Sequence, residues 1–157
     1  MRRPLKARTR SPSFRVRELE PGDLGNGFLE TLGSLSDLGG LTASEARKVL
    51  SAIPKPSRIF VAVTPGGRVV GTTTLFAERK FIHRGGIVGH IEDVAVLEGY
   101  EGKGVGTSLV KAGIEYAKEL GCYKCILDCR PELVKFYERL GFREHDVGMR
   151  IDLKPRR

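Results

Sequence analysis

The sequence predicts an α/β fold, in which a single mixed central sheet of about six to seven strands is flanked by about four helices. Strand-like and helix-like runs alternate along the chain without an internal repeat or a linker. A Gly-rich turn also joins the most apolar predicted strand to an amphipathic helix. The 157 residues, of which 40% are hydrophobic, suffice for one compact domain with its own core. A chain disordered throughout its length is therefore excluded.

The first third of the chain predicts one strand followed by two helices. Residues 14–19 alternate between apolar and polar side chains, which is typical of a strand. Residues 23–35 are apolar at a helical period, although their glycines weaken the pattern. Thr42 and Glu45 have the spacing of a capping box, which predicts a helix that ends before Pro54.

The middle of the chain predicts a hairpin and a central strand. Two β-branched runs, residues 58–64 and 68–76, are separated by a Pro-Gly-Gly segment that is typical of a hairpin turn. A polar link over residues 78–86 follows. Residues 87–96 are nearly continuous in apolar character, which indicates a strand buried on both faces.

The last third predicts two helices and two strands. Apolar residues at helical spacing over 104–121 predict a helix that ends at Gly121. A strand over 123–128 comes next. A short helix over 132–140 and a last strand over 147–153 complete the α/β order, which differs from that of a doubly wound nucleotide-binding fold.

The formal charge of +8 is concentrated at the two ends of the chain. Residues 1–10 contain five basic residues and residues 154–157 contain three, whereas residues 11–153 contain 19 basic and 19 acidic residues. A neutral body argues against a broad nucleic-acid-binding face. We therefore expect a disordered basic tail over residues 1–12 and a domain over 13–154, although such a tail can also bind polyanions weakly.

The cysteines and the apolar runs indicate a cytoplasmic protein. No apolar run reaches the roughly 18 residues of a membrane span, and no apolar leader follows the N-terminal charges. Cys122, Cys125 and Cys129 are odd in number, which suits reduced thiols better than a disulfide framework. No second Cys or His pair accompanies them, so neither a metal site nor a covalent cysteine route is predicted.

The strongest local signal for chemistry is the glycine pattern of Gly102, Gly104 and Gly106, between the central strand and the amphipathic helix. Such a turn aims unpaired backbone N–H groups outward at a positive helix end, which suits a phosphate group. An ordinary flexible turn would give the same pattern. The spacing matches neither a P-loop nor the dinucleotide-binding fingerprint.

With its flanking elements, this turn resembles the GNAT superfamily of N-acetyltransferases over nearly the whole chain. There, the sequence Gln/Arg-x-x-Gly-x-Gly/Ala binds the pyrophosphate of acetyl-CoA. Gly104 and Gly106 match its glycines, whereas Glu101 replaces Gln/Arg and Lys103 offers a compensating cation. The resemblance implies an acyl-CoA N-acyltransferase fold, with acetyl-CoA bound by Val94, Ala95, Val96, Glu101, Gly102, Lys103, Gly104, Val105, Gly106 and Tyr137.

Five blocks narrow the resemblance to the eukaryotic-type glucosamine-6-phosphate N-acetyltransferases. They are residues 78–83, 89–96, 121–124, 126–129 and 134–138. This resemblance implies transfer of acetyl from acetyl-CoA to glucosamine 6-phosphate, which gives N-acetylglucosamine 6-phosphate, a precursor of UDP-GlcNAc. It also implies a homodimer with shared active sites, without a metal and without a membrane or nucleic-acid partner.

The resemblance also implies catalytic roles. Asp93 and Asp128 would orient the amine or accept its proton, and Glu92 would assist. Because neighbouring strand residues point to opposite faces, only one of Glu92 and Asp93 is expected to point at the amine. Tyr137 would give a proton to the leaving thiolate, with core packing as the alternative role. His90 is interpreted as a strand residue with a satisfied ring rather than as a base.

A basic segment is implied to bind the sugar phosphate. The implied residues are Ser36, Lys80, Phe81, Ile82, His83 and Lys124. Two positions depart from the family. Leu133 replaces an Asn that contacts pantetheine, and Asp152 replaces a basic residue for which Lys154 could substitute.

Two alternative functions stay open at this point. The same fold could acetylate another amine, such as an unphosphorylated amino sugar, a polyamine or a protein N-terminus. The chain could also be a catalytically silent module that binds acyl-CoA or RNA. The net basic character of residues 78–83 favours an anionic acceptor.

Overall fold

The structure is a computed structural model that describes residues 13–153. The predicted N-terminal tail and Lys154 lie outside these residues. The chain divides into two units, the first ending at Ile126 and the second beginning at Leu127. Among residues 13–153, none of the helices has the length and apolar character needed to cross a bilayer.

One five-stranded sheet organises the first unit, with the strands in the order of the chain. The strands are β1 (Arg15–Glu18), β2 (Arg58–Val63), β3 (Val69–Arg79), β4 (Ile87–Val96) and β5 (Cys122–Ile126). β1 to β4 pair in antiparallel fashion, whereas β4 and β5 are parallel. The mixed sheet and the α/β class are therefore as predicted, whereas the sheet has five strands among residues 13–153 instead of the six to seven expected.

Five helices accompany these strands. They are α1 (Phe28–Gly33), α2 (Ala43–Ala52), α3 (Ile82–Gly85), α4 (Val105–Glu119) and, in the second unit, α5 (Val134–Glu138). The capping box predicted for α2 is present, since the Glu45 N–H donates to Thr42 Oγ1 at 3.2 Å and the Thr42 N–H donates to Glu45 Oε2 at 2.9 Å. α3 is a single turn in which His83 and Arg84 have positive φ values.

Two predicted elements differ in the structure. The helix expected over residues 23–35 is split into a 3-10 turn, Pro21–Gly25, and α1, because Gly27 has a φ of 95° and interrupts the right-handed helix. The prediction of a strand over residues 147–153 is wrong, because the described residues form no strand there. Its apolar side chains are 80 to 93% exposed, and no described strand pairs with it.

The sheet separates two apolar clusters. One cluster joins Leu24 and Phe28 to sheet residues such as Val61. The other joins Val70 of β3 to Val105 and Leu109 of α4. α4 approaches the sheet closely at Gly71, where a Cβ atom would lie only 2.6 Å from Val105 Cγ1. This close approach fixes the start of α4 against β3, next to the Gly-rich turn.

A buried ion pair attaches β1 to the 3-10 turn that follows it. Arg17 donates to both oxygens of Asp23, at 2.6 and 2.9 Å, and the Glu20 N–H donates to Asp23 Oδ2 at 2.8 Å. Burial alone raises the pKa of Asp23, but these hydrogen bonds and the Arg17 charge together hold it below its usual value. The charged carboxylate therefore stabilises the folded chain.

Replacement of Asp23 by Asn should lower the free energy of unfolding near pH 7 by about 1.5–3 kcal/mol, because Arg17 loses its charged partner. A carboxyl with a lowered folded-state pKa stabilises the protein above its unfolded pKa, and this contribution disappears as the pH falls through the folded pKa. Urea denaturation at pH 7 and at pH 3 measures both effects.

The matched control is Glu30→Gln, which removes the exposed Glu30–Arg68 pair with its 2.7 Å separation. A loss of less than about 1 kcal/mol is expected there. Equal losses for the two variants, or a loss at Asp23 that does not diminish in acid, would contradict the assignment of a buried, charged carboxylate.

Candidate active site

A β-bulge in β4, an interior strand between β3 and β5, lies at the candidate site. The register passes from Thr72 opposite Ala95 to Thr74 opposite Glu92, so that Asp93 and Val94 together face one residue of β3. Asp93 has a φ of 51°. The Thr73 hydroxyl donates to the Glu92 carbonyl oxygen at 3.2 Å and holds the bulge to β3. The bulge breaks the strict alternation of side chains along β4.

Both acids of β4 line one open cleft of about 490 Å³. The bulge interrupts the regular alternation on which we based the expectation that Glu92 and Asp93 point to opposite faces, and that expectation stays a prediction. The β4 cleft, as we call it, is lined by Pro54, Ser57, Phe76, Ala77, Glu78, His90, Glu92 and Asp93.

A hydrogen-bonded group of three side chains lies on the β3 side of this cleft. His90 Nε2 is 2.8 Å from Glu78 Oε2, and Glu78 Oε1 accepts a hydrogen bond from Lys80 Nζ. The bonds from Lys80 and, secondly, from His90 lower the pKa of Glu78. Glu78 therefore holds a negative charge between two groups that can carry positive charge.

The loop between α2 and β2 forms another side of the cleft. Ser57 is buried, and its Oγ accepts a hydrogen bond from the Ala77 N–H at 3.1 Å. The Tyr116 hydroxyl of α4 donates to the Pro56 carbonyl oxygen at 2.6 Å. Arg58 stacks over the same Tyr116 ring at 4.2 Å. The loop is thus attached both to β3 and to α4.

The Gly-rich turn leads directly into α4. Gly104 is the N-cap residue, and its φ of 84° is one that other residues adopt only with strain. Glu101 Oε2 accepts from the Gly99 N–H at 2.7 Å, and Lys103 Nζ donates to the Gly99 carbonyl oxygen at 2.6 Å. Both charged side chains therefore bind their own loop, while the backbone N–H groups at the start of the 15-residue helix remain a potential anion site.

Only part of the predicted substrate segment lies next to the cleft. Lys80 belongs to the Glu78 group, whereas Phe81 and Ile82 are exposed. The His83 ring packs on Tyr123 with centroids 4.2 Å apart, and Lys124 Nζ lies 5.9 Å from the centroid of that same ring. Ser36 follows α1, and its N–H donates to the Leu32 carbonyl oxygen at 3.2 Å.

Asp128 and Tyr137 belong to the second unit. Asp128 is exposed, whereas Tyr137 is buried and packs edge to face against Phe136 and Phe142, with centroids 4.9 and 5.9 Å apart. Burial, followed by the nearby Cys129, raises the pKa of Tyr137. Its hydroxyl therefore keeps its proton at neutral pH.

The cysteine thiols are poorly suited to nucleophilic catalysis. All three are free, and burial raises the pKa of Cys125 to about 11. Burial also raises the pKa values of Cys122 and Cys129. Since the thiolate is the nucleophile, these groups are largely unreactive near neutral pH. Within residues 13–153, no three Cys, His, Asp or Glu side chains are grouped as metal ligands.

Sequence reasoning missed the loop side of the cleft and the contact between His90 and Glu78, whereas His90 is a strand residue whose ring has a partner, as interpreted. Pro54 and Ser57 reach the cleft only through tertiary contacts, so no local sequence pattern predicted their position there. Glu78 and His90 are 12 positions apart in the chain, but the antiparallel pairing of β3 and β4 brings their side chains together. Because the sequence analysis placed Glu78 in a polar link rather than in a strand, no pattern predicted this contact.

Comparison with known proteins gives consistent matches. A model described as "Acetyltransferase (GNAT) family" matches residues 36–142. A protein of Oryza sativa subsp. japonica named "Probable glucosamine 6-phosphate N-acetyltransferase 2" is 44% identical, over 88% of this chain and 87% of the relative. The glucosamine 6-phosphate N-acetyltransferase of Trypanosoma brucei brucei is 39% identical, over 88% of this chain and 95% of the relative.

The fold is similar as well. The crystal structure of glucosamine-6-phosphate N-acetyltransferase from Arabidopsis thaliana superposes with a TM-score of 0.87 at 34% identity, covering 90% of this chain and 99% of that one. The resemblance drawn from the Gly-rich turn and its flanking blocks is therefore confirmed.

We predict that Tyr116→Phe loosens the loop side of the β4 cleft, because the Pro56 carbonyl oxygen loses its donor. The free energy of unfolding should fall by about 1 kcal/mol. Amide hydrogen exchange should accelerate over residues 54–57 and at Ala77, whose N–H is bound by Ser57.

Tyr123→Phe serves as the control, because it removes a hydroxyl from a ring that is 38% exposed. A change within about 0.5 kcal/mol is expected for it. Unchanged exchange at Ala77 in the Tyr116 variant would show that the loop is held in place without this hydrogen bond.

Proposed function

Since the chain belongs to the acetyltransferase (GNAT) family, we propose that it transfers acetyl from acetyl-CoA to the amine of glucosamine 6-phosphate. The products are N-acetylglucosamine 6-phosphate and CoA. The observation that carries this proposal is that relatives from plants, a yeast and a trypanosome, 34 to 44% identical over most of the chain, share this name. The proposal makes the protein a supplier of the precursor of UDP-GlcNAc.

The residues around the Gly-rich turn fit the polyanionic end of acetyl-CoA. The N–H groups at the start of α4 bind the pyrophosphate, supported by the helix dipole. Lys103 adds a cation there after leaving the Gly99 carbonyl oxygen, and Glu101 is kept from the phosphates by its bond to the Gly99 N–H. These two contacts explain how the turn tolerates an acid at the Gln/Arg position.

β4 supplies the backbone groups for the pantetheine arm. Ala95 and Val96 pair with β3 on one side, but the described pairing of β5 with β4 ends at His90, so the β5-side edge of Val94, Ala95 and Val96 is available to pair with the amides of the arm. Leu133, exposed in its own unit, replaces a polar contact with an apolar one. Bound acetyl-CoA supplies the acetyl group as a thioester.

The acids have the task of orienting the acceptor amine. Glu92 and Asp93 line one cleft, and a positively charged ammonium group is attracted by both carboxylates. Asp128 is assigned the same task on the strength of the family resemblance. Tyr137, whose raised pKa keeps its proton in place, donates that proton to the departing sulfur.

The phosphate of the acceptor needs cations. Lys80 borders the β4 cleft through its bond to Glu78, and Lys124 and His83 both lie against the Tyr123 ring. We assign the sugar phosphate to this basic group, together with Phe81, Ile82 and Ser36 as further contacts. An anionic acceptor is favoured over a polyamine because the group carries net positive charge.

A homodimer in the cytoplasm is part of the proposal. Residues 147–153 present Val147, Met149, Ile151 and Leu153 at alternate positions, all highly exposed. Alternation of this kind is typical of a strand with one apolar face, and a second copy of the chain can bury that face.

The three free thiols suit a reducing compartment.

The acceptor is tested by following free CoA with glucosamine 6-phosphate, glucosamine, spermidine and a peptide. We expect kcat/KM for the sugar phosphate to exceed that for glucosamine by about 10- to 100-fold, the range for a charge-assisted contact. Lys80→Gln should remove most of this advantage. Lys48→Gln, at an exposed position of α2, should leave it intact. Equal rates with and without the phosphate would refute the acceptor assignment.

The proton donor is tested with Tyr137→Phe, which keeps the ring packing against Phe136 and Phe142. Turnover should fall by about 100-fold, the usual size of a general-acid contribution, while the dissociation constant of acetyl-CoA changes little. Stopped-flow turnover and calorimetric titration measure the two quantities. A parallel loss of binding and turnover would indicate that the residue only packs.

A further inference from the structure

The pair formed by His90 and Glu78 lies in the β4 cleft without a role in the chemistry described so far. We propose that His90, oriented by Glu78, takes the proton from the ammonium group of the acceptor before acetyl transfer. This proposal rests on the proposed function, because it specifies which side chain prepares the amine. It replaces the interpretation of His90 as a strand residue with a satisfied ring.

The pairing of β3 and β4 produces the geometry. His90 stands opposite Phe76, and Glu78 follows two residues later on β3, so both side chains lie on one face of the sheet. The 2.8 Å contact between His90 Nε2 and Glu78 Oε2 fixes the proton on Nε2, because a charged carboxylate only accepts. The lone pair is then on Nδ1, as in a base that a carboxylate orients.

Several charged side chains of β3 and β4 lie around His90. On β4 itself, Glu92 and Asp93 share the cleft with His90. From β3 come the Glu78 carboxylate, the Lys80 ammonium group bound to it, and Arg79, which donates to the Gly85 carbonyl oxygen. Three carboxylates and one ammonium group thus belong to the cleft or to the hydrogen-bonded group that contains His90.

The remaining elements add little charge. On β5, Ile126 stands opposite His90, preceded by Lys124 and Cys125. α4 packs on the other face of the sheet, where Gly113 and Ala117 lie against Ile91 and Gly89. The loop between α2 and β2 presents Pro54 and Ser57 to the cleft. Carboxylates therefore outnumber ammonium groups among the cleft residues and the hydrogen-bonded group that includes His90.

The chemistry requires such a base. A primary ammonium group ordinarily keeps its proton at neutral pH, with a pKa of about 8 to 10, and only the neutral amine has a lone pair for attack. Carboxylates ordinarily titrate near pH 4 and are weak bases at pH 7, whereas imidazole changes charge close to neutrality. The N–H bond of the ammonium breaks and an N–H bond at Nδ1 of His90 forms, so the amine becomes neutral and the imidazole becomes a cation beside Glu78.

The test compares the pH dependence of kcat/KM for glucosamine 6-phosphate in the wild-type protein, His90→Gln and Glu78→Gln. The amide of Gln can still donate to Glu78 but cannot take a proton. We expect kcat/KM of His90→Gln to fall by about 100-fold at pH 7, with the loss shrinking as the pH rises and more of the acceptor is neutral in solution. The acid limb of its profile should move to higher pH.

Glu78→Gln should shift the acid limb in the opposite direction. An amide can still accept from Nε2 but carries no charge to stabilise the imidazolium form, so the limb should move to lower pH. His145→Gln is the matched control, because His145 is an exposed histidine with its own carboxylate partner, Asp146, at 3.0 Å. Its profile should coincide with that of the wild-type protein.

The outcomes separate the two proposals. A wild-type protein that acetylates glucosamine 6-phosphate, together with a His90→Gln loss that is the same at every pH, would overturn the role of His90 while leaving the function intact. A wild-type protein with no activity towards this acceptor would overturn both. Thermal unfolding of each variant, with midpoints within a few degrees of the wild type, verifies that the profiles compare folded proteins.

Discussion

The bulge in β4 is the constraint on which the arrangement of the candidate site depends. One residue of β3, Thr73, faces the two residues Asp93 and Val94, and the Thr73 hydroxyl bonds to the Glu92 carbonyl oxygen at the same point. A regular strand would send one of its two acids to the side covered by α4. The extra residue interrupts this alternation at Asp93 and takes adjacent backbone groups out of the ladder, and both Glu92 and Asp93 line the cleft.

The cleft is then assembled by contacts between elements that are distant in the chain. Glu78 reaches across from β3 to His90, and Ser57 receives the Ala77 N–H from the same strand. The Tyr116 hydroxyl holds the Pro56 carbonyl oxygen from the opposite layer. Ser57 and Tyr116 are buried, so their polar groups would be costly to leave unpaired, whereas the contact between Glu78 and His90 is partly exposed.

Helix α4 connects two parts of this chemistry. Its first turn follows the Gly-rich segment, where Gly104 has a positive φ, and its fourth turn carries Tyr116. Close packing of Val105 and Leu109 on Gly71 fixes the helix against β3. The helix therefore fixes the potential anion site at its start relative to the loop side of the cleft. In the proposed function, the packing of α4 on β3 would thus set the position of acetyl-CoA relative to the sugar phosphate.

The sequence alone determined the elements with local signals. The capping box of α2, the continuous apolar run of β4 and the glycines before α4 each depend on neighbours within a few residues, and all three were predicted. The tertiary structure decided the rest. The split at Gly27, the bulge at Asp93 and the meeting of Glu78 with His90 depend on backbone pairing and side-chain contacts between residues far apart in the chain. Local periodicity carries no information about a register shift. Such a shift changes the face of the sheet that each following side chain occupies, but it depends on the partner strand and leaves no mark in the local sequence pattern.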